Sequence, residues 1–117
     1  MDRPEIAYKV LTDEEMPLFE ADRFEGSEVD RKDGYVHLST AEQLTETVNL
    51  HFKDVSDEDL WVLAVDLEVL GRQIRWEKAR DGQEFPHLYG KIRLDTVIGY
   101  SPLERDEDGV VKLPVAG

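Results

Sequence analysis

Leu60-Trp61-Val62-Leu63-Ala64-Val65-Asp66-Leu67 sets the architecture of this chain, because it is apolar at almost every position. A strand with one face in water alternates apolar and polar residues, whereas a strand covered on both faces reads as a continuous apolar run. We therefore expect this segment to be the central strand of a sheet.

Strands and helices alternate before this segment, and only strands are predicted after it. Residues 6–11 form a short apolar strand, and a helix follows that is short or begins late because of Pro17. Residues 25–34 are expected to be a charged turn that leads into a strand at residues 35–39. Thr40, or Ser39 before it, then caps a second helix, because Gln43 follows Thr40 by three residues as in a capping box. Strands at residues 73–78, 85–89 and 96–103 complete an α+β fold of two helices with antiparallel sheets.

The length and composition of the chain limit its class. A chain of 117 residues fits a single domain over residues 1–117, in which residues 104–117 form an acidic turn and tail. There is no cysteine, which excludes disulfides, thiolate metal sites and cysteine nucleophiles. No apolar run approaches the roughly 18 residues of a membrane span, and the first residues lack a signal-peptide pattern. We therefore expect a soluble cytoplasmic protein.

The charge of the chain indicates which partners it can bind. With 27 acidic and 14 basic residues, the formal net charge is −13, which repels duplex nucleic acid and anionic membranes. The charge is uneven, because residues 71–93 hold six basic and three acidic side chains. Such a local positive field fits a small anionic ligand, for example the pyrophosphate of a dinucleotide. A solvated strand face of mixed charge explains the same residues, and charge alone favours that interpretation.

Two of the three histidines lie in strand-like runs that are rich in aromatic and hydroxyl side chains. The runs are Gly34-Tyr35-Val36-His37-Leu38-Ser39-Thr40 and Phe85-Pro86-His87-Leu88-Tyr89-Gly90. Because alternate side chains of a strand share a face, each run projects imidazole, aromatic and hydroxyl groups together. This combination is more typical of a ligand pocket than of a plain core. His51 lies near the end of the second helix, and we interpret it as structural or exposed.

The two runs, together with Arg75-Trp76-Glu77, resemble the hallmark segments of the bacterial family known as domain of unknown function 952. The resemblance extends in the same order over residues 6–103. It implies a fold similar to that of the ADP-ribosyltransferases, which bind NAD in a cleft between two antiparallel sheets, and of the related RNA 2′-phosphotransferases. In the transferases an early-strand His or Arg holds the NAD ribose, and a late-strand Glu positions the ribose and the nucleophile. The resemblance thus implies these catalytic roles for His37 and Glu77.

The other candidate ligand-binding residues come from the same segments: Ser39, Thr40, Arg75, His87 and Tyr89. His37 can bond a ribose hydroxyl, and Ser39 can bond a neighbouring amide or hydroxyl or cap the second helix, whereas Thr40 is better explained as the cap. Arg75 can bind a phosphate or pair with Glu77 in a surface salt bridge. His87 and Tyr89 can line a pocket, with the phenol ring stacked on a base, or they can join a core aromatic cluster. Glu77 can act as a general base if burial raises its pKa toward neutrality.

These residues leave two classes of function open. A metal site of three histidines and Glu77 is a weaker hypothesis, because no histidine forms a short-spaced ligand pair. We therefore expect no metal and no resident cofactor, with NAD as a candidate substrate. The first hypothesis is a transferase of the ADP-ribosyltransferase type that binds NAD or another small, nucleotide-like anion. The second is a non-catalytic module that binds or senses a small metabolite in the same pocket.

Overall fold

The computed structural model describes residues 3–114, except for the side chain of Arg80, and these residues form two antiparallel sheets. The first sheet has the order β1-β3-β6 and the second the order β2-β5-β4. The strands are β1 (Ile6–Thr12), β2 (Val36–His37), β3 (Leu60–Asp66), β4 (Ile74–Lys78), β5 (Glu84–Leu88) and β6 (Val97–Pro102). The α-helices are α1 (Met16–Glu20), α2 (Glu28–Asp33), α3 (Ala41–His51) and α4 (Leu67–Leu70).

Strand β3 lies in the middle of the first sheet and is covered on both faces, as its sequence predicts. Leu63 and Val65 lie in the core cluster that also holds Leu88 of the second sheet. Val62 points to the opposite face of the sheet. It lies in a second core cluster, which includes Leu44 of α3. Burying one Leu or Val side chain stabilises the fold by about 1.5–3 kcal/mol, so β3 anchors both cores.

The second sheet packs only one of its faces against the core. Val36, Leu88 and the partly buried Ile74 all belong to the cluster between the sheets. The register places His37 opposite His87, and His87 opposite Arg75 on the next strand. Because directly opposed residues point to the same side, these three side chains share the face that is turned away from the core.

Helix α3 begins as predicted. The Thr40 hydroxyl accepts a hydrogen bond from the Gln43 backbone N–H at 3.3 Å, and Gln43 Oε1 accepts one from the Thr40 N–H at 3.1 Å. Helix α1 is short, and Pro17 lies in its first turn, where a missing N–H costs no hydrogen bond. None of the helices in the described part of the chain combines the length and the apolar character needed to cross a bilayer.

The prediction of two helices was wrong, because two more short helices are present. Helix α2 replaces the expected charged turn, and its capping box links Ser27 and Asp30. Gly34 ends α2 with a left-handed φ of 87°, which a glycine adopts without strain. Helix α4 starts where the Asp66 side chain accepts the backbone N–H of Glu68. The strand predicted at residues 35–39 shortens to Val36–His37. The α+β class with antiparallel sheets is confirmed.

The acidic turn near the end of the chain is held by one cation. Arg105 donates to both carboxylate oxygens of Asp57 and to the backbone oxygen of Gly109. An isolated β-bridge joins Arg105 to Val111. The tail predicted for residues 104–117 is therefore attached to the domain as far as it is described, and residues 115–117 lie outside the described residues.

Candidate functional site

Six side chains meet on the outward side of the second sheet, which we call the polar face: Tyr35, His37, Arg75, Glu77, His87 and Tyr89. Tyr35 lies at the centre, with its ring centroid 4.7 Å from that of His37, 4.1 Å from that of His87 and 5.3 Å from that of Tyr89. The two imidazole rings are 5.7 Å apart. The structure therefore brings the two histidine runs and Glu77 to one surface.

Glu77 is held as a carboxylate on this face. Its Oε1 accepts a hydrogen bond from the Tyr89 hydroxyl at 2.7 Å and another from His87 Nδ1 at 2.9 Å. The hydrogen bond from Tyr89, followed by that from His87, lowers the pKa of Glu77 below its usual value. The side chain is 39% exposed. The raised pKa that a general base needs is thus absent, and we correct that expectation: Glu77 is an ionised acceptor.

His87 contacts Glu77 from the buried side of the polar face. Its side chain is only 4% exposed, and its ring is stacked under that of Tyr35 with an interplanar angle of 27°. Because a carboxylate accepts only, His87 Nδ1 carries the hydrogen in their contact. His87 therefore orients Glu77 and does not form the outer wall of the pocket.

Tyr89 and Arg75 form the outer part of the polar face. Tyr89 is 38% exposed, and the Arg75 guanidinium carbon lies 4.8 Å from the centre of its ring. This distance is typical of a cation–π contact. The charge of Arg75 also contributes to the lowered pKa of Glu77. Arg75 is exposed, so its guanidinium remains accessible to a ligand beside the phenol ring.

His37 lies between two carboxylates. Its Nδ1 is 2.6 Å from Asp30 Oδ1, and its Nε2 is 3.0 Å from Asp33 Oδ2. The Asp30 side chain is 1% exposed, whereas those of His37 and Asp33 are 34% and 42% exposed. One nitrogen of the ring thus faces the interior, and the other faces the surface.

Asp30 is the most deeply buried charge in the site. Its Oδ2 accepts from Lys9 Nζ at 2.7 Å and from the Ser27 backbone N–H at 2.9 Å. Burial raises the pKa of Asp30, but the hydrogen bond from His37 and the charge of Lys9 lower it by more. The resulting pKa of Asp30 is well below the usual value. Asp30 is therefore ionised at neutral pH.

Two predicted ligand-binding residues lie in the scaffold. Ser39 is 4% exposed, and its hydroxyl is 2.9 Å from that of Thr47 on α3. Thr40 caps the same helix, as the alternative interpretation held. His51 is the last residue of α3, which places it about 16 Å along the helix from Thr40. Within residues 3–114, no group of three or more histidines and carboxylates is arranged to hold a metal ion.

The basic side chains of residues 71–93 do not gather at one site. Arg75 joins the polar face, whereas Lys91 pairs with Glu25 at 2.9 Å and Arg93 lies 3.8 Å from Asp22. Lys91 and Arg93 line a depression of about 430 Å³ formed by residues 22–25 and 91–93. Lys91 and Arg93 face acidic partners here, which agrees with the mixed-charge interpretation of this segment.

Sequence reasoning missed Lys9, Asp30, Asp33 and the central position of Tyr35. Two signals were available for them. Ser27 and Asp30 have the spacing of a capping box, which predicts a helix rather than a turn. Lys9 is the one charged residue in the strand Ile6–Thr12, where every interior position is buried. A lysine in such a strand requires a buried partner.

Comparison with known proteins places this fold in a family. Residues 10–100 match the family described as Protein of unknown function (DUF952). The chain belongs to the DUF952 family. The crystal structure of protein CC0527 from Caulobacter crescentus is 41% identical with a TM-score of 0.80, and the match covers 92% of this chain and 94% of that one. The solution NMR structure of CC0527 is 41% identical with a TM-score of 0.75, covering 92% and 91%. No curated protein matches this DUF952 chain.

Proposed function

We propose that the polar face of this DUF952 protein binds NAD or a related nucleotide-like anion and acts as a transferase of the ADP-ribosyltransferase type. One observation carries the proposal. His37 of β2, Glu77 of β4 and the exposed ring of Tyr89, which directly follows β5, share one accessible face. An imidazole, an ionised carboxylate and an aromatic ring are the groups that a ribose and its attached base require.

The arrangement of the sheets supports the same proposal. Two antiparallel sheets of three strands each, with early and late histidine segments paired in one of them, resemble the split-sheet fold of the ADP-ribosyltransferases. The resemblance assigns the ribose to His37 and Glu77. Fold likeness transfers architecture more safely than chemistry, so the assignment depends on the side chains of the polar face.

Each part of a dinucleotide has a matching group on this face. A base or nicotinamide ring can stack on Tyr89, whose ring is partly exposed. Arg75 lies over the same ring and can pair with a phosphate. Glu77 can accept a hydrogen bond from a ribose hydroxyl, and His37 Nε2 faces the surface next to Asp33.

The ionised state of Glu77 suits glycosidic bond cleavage. When the bond between ribose C1′ and the nicotinamide nitrogen breaks, nicotinamide leaves with the electron pair and positive charge develops on the ribose. A fixed carboxylate near that charge stabilises the transition state. An acceptor group then forms the new bond at C1′ and releases its proton to solvent. Glu77 acts here by charge and by orientation.

Ligand binding is the first test of the proposal. A ligand at 100 times its Kd stabilises a folded protein by about 2.7 kcal/mol, which raises the melting temperature measurably. We expect NAD or ADP-ribose to raise the melting temperature and to shift the backbone amide signals of His37, His87 and Tyr89. Tyr89→Ala should abolish the effect. Tyr100→Ala is the matched control, because Tyr100 is an exposed tyrosine of the first sheet. The absence of any shift with NAD, ADP-ribose or nucleoside phosphates would refute the proposal.

The second candidate is a non-catalytic module that binds a metabolite at the polar face. It is favoured by the hydrogen bonds that Glu77 already makes with Tyr89 and His87 in the free protein. Release of nicotinamide from NAD separates the candidates. A transferase releases nicotinamide and loses this turnover in Glu77→Gln while it still binds ligand. A sensor binds ligand and releases no nicotinamide in either form.

A further inference from the structure

A buried ion pair lies directly behind His37. The side chains of Lys9 and Asp30 are 8% and 1% exposed, and Lys9 Nζ is 2.7 Å from Asp30 Oδ2. Charges removed from water are costly unless they are paired and hydrogen-bonded. The other oxygen of Asp30 accepts both the backbone N–H of His37 at 3.0 Å and its ring Nδ1. Together these contacts fix the orientation of the His37 ring.

The pair connects the first sheet to the polar face. Lys9 belongs to β1, and Ala7 and Leu11 on either side of it point into the core between the sheets. Asp30 belongs to α2, and His37 to β2. Replacing a buried ion pair with apolar residues is often neutral or stabilising, so such a pair is weak ground for stability by itself. The position behind a surface imidazole indicates a role in the site.

The two nitrogens of His37 both face acceptors. Asp30 Oδ1 lies at Nδ1, and Asp33 Oδ2 lies at Nε2. The Asp30 contact is a hydrogen bond, and the 3.0 Å contact of Nε2 with the Asp33 carboxylate is attractive only when Nε2 also carries a hydrogen. The aromatic rings of Tyr35 and His87 also contact the His37 ring. The inner carboxylate is fixed, whereas Asp33 is exposed, and exposed ion pairs are weak and screened by salt.

We propose that Asp30, held by Lys9, is a positioning residue that keeps both nitrogens of His37 protonated. The Nε2–H group is then offered to an anionic oxygen of the ligand. That oxygen takes the place that the Asp33 carboxylate occupies in the free protein. The ligand group at His37 is then a phosphate or carboxylate oxygen and not a hydrogen-bond donor. This assignment of the ligand group rests on the proposed function. The state of the ring does not rest on it and is measurable without ligand.

The ring nitrogens are measured by long-range ¹H–¹⁵N NMR of the full chain at neutral pH. We expect both His37 nitrogens to be protonated in the wild type and one to lose its hydrogen in the double variant Lys9→Met/Asp30→Asn. Lys91→Met/Glu25→Gln is the matched control, because it removes an exposed pair of the same kind and leaves His37 unchanged. A neutral His37 in the wild-type protein overturns the proposal, even where the double variant fails to fold.

Asp33 provides the ligand test. Asp33→Asn should tighten the binding of ADP-ribose or inorganic pyrophosphate by up to about fivefold in titration calorimetry, because it removes the competing carboxylate. Asp54→Asn makes the same change in net charge at an exposed residue after α3 and should have no effect. If wild type binds ligand and Asp33→Asn binds no tighter, the place of the ligand oxygen is wrong. If no form binds either probe while the ring is doubly protonated, the proposed function fails and the positioning role stands.

Discussion

Asp30→Asn should destabilise the protein more than any surface substitution. The change leaves the Lys9 ammonium buried beside a neutral amide, at a position where the carboxylate is 1% exposed and accepts four hydrogen bonds. Removing one partner of a buried ion pair costs about 3–5 kcal/mol. Against a total free energy of unfolding of about 5–15 kcal/mol, this loss is large. Urea unfolding monitored by tryptophan fluorescence and circular dichroism measures it as a lower midpoint, by at least about 1 M.

A double-mutant cycle tests the physical reason for this loss. If the cost arises from an unpaired buried charge, Lys9→Met in the Asp30→Asn background should restore part of the stability. The exposed pair Lys91 and Glu25 is the control, and its double replacement should leave the urea midpoint close to that of the wild type. A loss below about 1 kcal/mol in Asp30→Asn, or costs of Lys9→Met and Asp30→Asn that simply add, would refute the reasoning.

Three further predictions follow from the described contacts. Folding lowers the pKa of Asp30, so the ionised carboxylate stabilises the fold fully above the unfolded pKa of about 3.9. This stabilisation is lost as the pH falls through the folded pKa. The urea-midpoint difference between wild type and Asp30→Asn should therefore shrink in acid. Thr40→Ala should cost about 1 kcal/mol by urea unfolding and leave ligand affinity unchanged, because Thr40 caps α3. Tyr89→Phe should raise the pKa of Glu77 in a carboxyl ¹³C titration, because it removes the hydrogen bond that lowers this pKa most, and Tyr100→Phe should not.

The sequence predicted those parts of the fold that depend on local pattern. The continuous apolar run of β3 required cover on both faces, and it has cover on both faces. The spacing of Thr40 and Gln43 placed the start of α3 at the right residue. Alternation placed Tyr35 with His37 in one run and His87 with Tyr89 in the other, whereas the meeting of the two runs depends on the pairing of β2 with β5. The apolar run, the cap and the alternation are each determined within a few residues of the chain, so one sequence is sufficient to find them.

The parts that could not be predicted depend on contacts between distant segments. Residues 25–34 are highly charged, which favours an exposed turn, yet Asp30 is buried because Lys9 of the first sheet pairs with it. His87, like His37, follows an aromatic residue by two positions and precedes a leucine, but Tyr35 covers it and leaves it 4% exposed. Burial of these polar groups is a tertiary property, and no local period encodes it.

The protonation states of the polar face restrict the chemistry that a transferase could perform there. Glu77 is ionised but has a lowered pKa, so it is a weak proton acceptor at neutral pH. In the state proposed above, in which both nitrogens of His37 carry hydrogens toward Asp30 and Asp33, the ring has no free lone pair. Neither group can deprotonate an acceptor before the bond to nicotinamide breaks. Under the proposed function and the proposed state of His37, transfer would need a transition state in which that bond is largely broken. It would also need an acceptor that attacks without prior loss of a proton, such as water, a hydroxyl or a carboxylate.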